Sequence, residues 1–109
     1  MSALTTISYF FGGLFTANAA PHLVSAVMGR PFQTPFSKPP GRGLSSSLVN
    51  ALWGFTNLVI AYLLTYYIGY FDLHLLRDAV ALGAGILSGT ILCALVFGRT
   101  GGGSLEKLL

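Results

Sequence analysis

The side chains able to do chemistry in an apolar setting are few, and they gather around one short stretch. Asn50 and Asn57 stand seven residues apart, with Trp53 and Gly54 between them. On a helix that spacing puts both amides on one face. The stretch lies in the most apolar part of the chain, from Leu48 to Phe71. Hydrocarbon offers no hydrogen-bond partner, so amides placed there need one from the protein or from a ligand. Asn18 and His22 are the matching candidates nearer the N-terminus. Amides bind hydroxyls or a zwitterion, an indole stacks, and an imidazole can carry a proton near neutral pH. Asn18, His22, Asn50, Trp53 and Asn57 are therefore a candidate pathway for a small polar solute. The competing reading is that they bond to one another as interhelical glue, at about 0.6–2 kcal/mol each. His22 as an axial haem ligand is a third reading, weakly supported because no Cys or carboxylate adjoins it. No metal site is expected. No nucleophile–base–acid set is present, so the chain is not expected to be an enzyme. Gly41 and Gly43 lack the Lys-Ser/Thr ending of a phosphate loop.

The composition says what surrounds these groups. Of 109 residues, 53% are hydrophobic and 8% charged, with mean hydropathy +0.71. Soluble domains carry about a quarter charged residues. An all-α integral membrane protein is the expected class. The net charge of +3 is small and spread out, so lipid headgroups rather than nucleic acid are the expected anionic neighbours. Cys93, the one cysteine, lies in an apolar run and reads as a small packing residue.

Three apolar segments, about 3–28, 46–70 and 75–98, are each long enough for the ~20 residues of a membrane span. Residues 1–100 then form one three-helix domain, followed by a flexible tail at 101–109. The first segment carries an Ala-Asn-Ala pattern at 17–19, but residues 1–6 have no Lys or Arg, so a retained helix is expected over a signal peptide. Pro21 removes the hydrogen bond to the Ala17 carbonyl and predicts a kink. The short 71–74 turn predicts that the second and third helices pair as a hairpin. Tyr9, Phe10 and Phe11, and the tyrosines at the end of the second segment, are expected at the membrane interface.

Orientation follows from basic residues. Arg30, Lys38, Arg42, Arg99 and Lys107 share one side, and Arg77 sits opposite beside Asp72 and Asp78. This places the N-terminus outside and the C-terminus in the cytoplasm, in the cell (inner) membrane. Measured from the cytoplasmic end at ~1.5 Å per residue, Asn57 and Asn18 lie ~16 and ~15 Å deep, and His22 lies at ~9 Å, near Asn50 and Trp53. Equal depth predicts that these side chains meet.

Two further surfaces stand out. Ala81, Gly85, Ser88 and Gly89 form a small-residue stripe for close packing, within the bundle or in a homo-oligomer. The 29–45 loop repeats Pro-Phe, and Phe32 and Phe36 are expected to dip into the interface while Arg30, Lys38 and Arg42 meet headgroups or a partner. A lid over the cytoplasmic mouth is the alternative. In size and Trp/Asn content the chain resembles the three-helix sugar-transporting half-carriers, in architecture alone, since His22 follows Pro21 where those carry a Pro-Gln pair. The sequence thus points to a small oligomeric permease or pore for a polar solute. The alternatives are an accessory subunit of a larger membrane complex and, with less support, a haem- or lipid-binding membrane protein.

Overall fold

The computed structural model describes residues 2–103, and the proposed tail beyond 103 lies outside the described residues. Helix α1 spans Ala3–Val27. Ser2 caps it, its hydroxyl accepting from the Thr5 N–H at 3.2 Å. Helix α1 is continuous through Pro21. It stops at Gly29, whose φ of 68° suits a residue without Cβ. There the Arg30 N–H donates to the Ser25 carbonyl and the Gly29 N–H to that of Ala26, which closes the helix end.

Strands β1 (Phe32–Gln33) and β2 (Leu44–Ser45) pair antiparallel and pinch the loop into a closed flap. Helix α2 spans Ser47–Tyr62 with Ser46 as its cap, and continues as a wider π turn over Leu63–Tyr67. That turn leaves the Leu64 carbonyl to accept from the Ser8 hydroxyl at 2.6 Å. Helix α3 spans Leu76–Gly101, three residues beyond the expected end, and Gly102 closes it at φ 89°.

The chain is mostly helical, and two helices, α2 with its π turn and α3, are long and apolar enough to cross a membrane. They are not core helices: their apolar stretches are only 28% and 17% buried. Helix α1 is more polar, through Thr5, Thr6, Ser8, Thr16, Asn18, His22 and Ser25.

The expected hairpin of α2 and α3 does not form as a packed pair. Both helices pack on α1, which lies between them. Backbone approach explains the arrangement. A Cβ on Gly12 would meet the Thr65 hydroxyl of the π turn, and one on the adjacent Gly13 would meet the Leu82 carbonyl of α3. Neighbouring glycines thus open two faces of α1, one to each partner. From α3, Gly85 lies against the Phe10 carbonyl, and Gly89 against Ala17 and the Leu14 carbonyl. The small-residue stripe is therefore used inside the chain; Ala81, Gly85 and Gly89 are buried and Ser88 half-buried.

Burial is inverted relative to a water-soluble domain. Among the described residues the buried apolar side chains are Tyr9, Ala19, Ala61 and Ala81, whereas His22, Asn50, Asn57, Thr65 and Asp78 are buried with them. Leu, Ile, Val and Phe side chains cover the outside. Outward-facing hydroxyls bond back to their own helix, Thr16 to the Gly12 carbonyl, Thr56 to Leu52 and Thr90 to Ile86.

Candidate functional site

The polar residues meet in two steps along α1. Near the middle, Asn18 Nδ2 donates to Asn57 Oδ1 at 2.9 Å, and Asn57 Nδ2 donates to the Trp53 carbonyl at 2.8 Å. Cys93 of α3 directs its thiol at Asn18 Oδ1, 3.7 Å away. One turn toward the loop, His22 Nδ1 and Asn50 Oδ1 are 2.8 Å apart. Gly54 lets the helices close here, because a Cβ would press on Leu23. The face that carries Asn50, Gly54, Asn57, Ala61 and Thr65 is the face α2 turns to α1.

Asn50 also holds the loop. Its Nδ2 points at the carbonyls of Phe32, Ser45 and Ser46, at 3.1, 3.2 and 3.0 Å. Both ends of the flap therefore hang on one fully buried amide. With Nδ2 turned to three acceptors, Oδ1 must face His22, which makes His22 Nδ1 the donor. The neutral ring then carries its lone pair on Nε2.

The loop folds inward over His22. Phe32, expected at the lipid interface, instead packs edge-on against His22 (5.5 Å between centroids) and against Phe97 of α3 (4.8 Å). Half-buried beside two rings, it exchanges part of the lipid contact it would otherwise make for contact within the protein. Phe36 packs edge-on against Trp53 at 5.1 Å between centroids and is otherwise exposed. Trp53 in turn meets His22 edge-on at 6.4 Å. Gln33 and Thr34 are buried; Gln33 Nε2 donates to the Thr100 hydroxyl of α3, and Thr34 bonds Ser45 across the flap. Arg30, Lys38 and Arg42 stay on the outer surface.

Beneath the flap lies a cavity of about 180 Å³ lined by Asn18, His22, Gln33, Thr34, Trp53 and Phe97, among others. His22 is 2% exposed, and its Nε2 has no hydrogen-bond partner among the described residues.

No family model, curated protein or solved structure matches this chain. The site must therefore be judged on its own geometry.

At the opposite end two groups depart from expectation. Tyr9 turns inward and is fully buried against Phe71. Asp78, read as a residue of the outer turn, is 1% exposed; it faces inward from the first turn of α3, where the helix dipole favours a carboxylate. Its Oδ2 accepts from the Asp72 N–H at 3.0 Å, and Arg77 Nε stands 3.6 Å from Oδ1. His74 is exposed beside Asp72, as a solvated turn residue would be. Sequence reasoning missed Gln33, Thr34 and Phe97 at the cavity and Gly12 and Gly13 at the packing faces. The glycine pair was legible as a small-residue signal; nothing local marks the other three.

Proposed function

We propose that this chain is a three-span membrane protein that takes up a small polar solute in the cavity beneath its loop. The N-terminus is outside, and the loop and C-terminus are cytoplasmic. Helix α1 serves as the third span despite its polarity: it has no charged side chain, and at 25 residues it exceeds the thickness of the hydrocarbon. The inverted burial supports immersion, since lipid tolerates the exposed apolar side chains and the amides of Asn18, Asn50 and Asn57 are paired within the protein. The observation that carries the solute reading is the cavity wall, where a buried imidazole presents a ring nitrogen without a partner. A permease formed by one chain is disfavoured, because the helices close on Gly12, Gly13 and Gly85 beyond the cavity. Transport would need a second copy.

The test is thiol access. In a Cys93→Ser background, Thr34→Cys should react with a small charged methanethiosulfonate added to the cytoplasmic face and not with reagent added outside. No reaction from either side, with Arg42→Cys still reactive, would remove the open cavity.

An accessory-subunit reading draws on a different observation. Helices α2 and α3 leave an apolar-walled groove of about 280 Å³ over α1, lined by Thr16, Leu58, Tyr62 and Leu82 among others, as a contact surface for another subunit. Native mass spectrometry separates the two, a homo-oligomer favouring transport and a mixed complex favouring the subunit role. A haem reading has less support, since 180 Å³ is below the ~300–1,000 Å³ of sites for drug-sized ligands.

A further inference from the structure

We infer that the cavity beneath the flap selects a small amine, bound as its ammonium, and rejects anions; the inference rests on the solute-cavity reading above. The argument is a matter of which atoms remain free. Asn50 fixes His22 as a donor on its Nδ1 side, so in the neutral ring the nitrogen left over, Nε2, is an acceptor. Gln33 is settled in the same way. Its Nε2 is committed to the Thr100 hydroxyl and, at 3.4 Å, to the Arg42 carbonyl, which leaves Oε1 as its free end. Both side chains line the cavity and both are more than nine-tenths buried. Two acceptors on one wall call for a ligand with at least two N–H or O–H donors.

The remaining lining narrows the choice. Trp53 and Phe97 bring aromatic rings to the same space. Ring faces attract cations, most strongly where water is excluded. Among the described residues no Lys or Arg lines the cavity, and Arg30, Lys38 and Arg42 are all exposed on the outer surface of the flap. A carboxylate or phosphate in the cavity would face two lone pairs with no positive charge beside it. An ammonium instead gives N–H bonds to His22 Nε2 and Gln33 Oε1 and turns its charge to the rings. The volume sets the size. At ~30 Å³ per water, 180 Å³ holds the equivalent of about six waters, and so a ligand of about six non-hydrogen atoms at most.

Trp53 is the single tryptophan of the chain, so its fluorescence reports this site alone. The experiment titrates the full chain in nanodiscs with propylammonium chloride, sodium propionate and 1-propanol, three probes of like size. Propylammonium should give a saturable change, 1-propanol a weaker one and propionate none. Gln33→Met removes one acceptor without touching the Asn50–His22 pair and should weaken propylammonium binding by about tenfold or more. His22→Phe, which also strips Asn50 of a partner, should do the same, with helicity followed by circular dichroism. A saturable response to propionate equal to that of propylammonium overturns the assignment. So does unchanged amine affinity in folded Gln33→Met. Silence toward all three probes, in protein whose Thr34→Cys thiol is still labelled, overturns the amine while leaving the solute cavity standing. Silence with an unlabelled thiol takes away the cavity as well.

Discussion

Single side chains in this protein carry burdens that a soluble core would spread over many apolar contacts. The Asn18–Asn57 bond is one case, with Asn57 also donating to the Trp53 carbonyl of α2 and Asn18 facing the Cys93 thiol of α3. Replacing Asn18 and Asn57 by Ala, singly and together, should show a coupling energy of about 1 kcal/mol in a detergent unfolding titration. A coupling near zero would mean that the bond forms without stabilising the bundle. Asn50 is the other case. Its one amide group secures Phe32 at the start of the flap and Ser45 and Ser46 at its end. Asn50→Leu leaves three carbonyls without that donor, so the flap should open more often and trypsin should cut after Arg42 roughly tenfold faster than in the parent. Cleavage at the parental rate would show that the strand pair and the Phe32 packing hold the flap unaided.

At the scale of elements, α1 organises the molecule because small residues sit on two of its faces. Helix α3 approaches it through Gly85, and none of the described residues occupies the space next to Gly83 on the far side of the same helix. Gly83→Ala should therefore be neutral or gain up to about 1 kcal/mol from helix propensity alone. Gly85→Ala drives a methyl into the Phe10 carbonyl and should cost about 1–3 kcal/mol, or undock the helix. Thermal melts in detergent compare the pair directly, and equal effects would refute the assignment of the packing face. The π turn at the end of α2 belongs to the same logic. By widening there it brings the Leu64 carbonyl to the Ser8 hydroxyl and Thr65 to Gly12, extending the α1–α2 contact by a turn.

The whole molecule presents apolar side chains outward, polar ones inward, and a folded loop at one end. Its placement in a bilayer is open to direct measurement. In a Cys93→Ser background, Ser2→Cys and Tyr70→Cys should react with an impermeant maleimide from outside, and Lys38→Cys only from the cytoplasmic face. Ser2→Cys and Lys38→Cys reacting from one face would mean that α1 does not cross. All three reacting from the faces opposite to these would reverse the orientation. Tyr70 suits the purpose because it is 99% exposed at the tip of the turn.

Much of this architecture was readable in the residue string. Long apolar runs separated by Pro- and Gly-rich or charged breaks define helices, and their ends fall within three residues of expectation, the second stopping at Tyr67 and α3 running on to Gly101. Period and rise alone put Asn57 level with Asn18 and Asn50 near His22, because helix geometry converts sequence number into depth. What composition could not decide was adjacency. A short turn suggested that α2 and α3 pair, yet the helix with two glycine-opened faces took the centre, since close backbone approach outweighs proximity along the chain. Nor could it decide direction within the loop, where Phe32 turns in against His22 and Phe97 while the basic residues stay out. In sequence, Asn50, Trp53 and Asn57 form a polar stripe on an apolar helix. Only the tertiary structure distinguished groups that satisfy one another, as Asn18, Asn50 and Asn57 do, from atoms without a hydrogen-bond partner among the described residues, such as His22 Nε2 at the cavity and the buried Tyr9 hydroxyl and Asp78 Oδ1 at the other end.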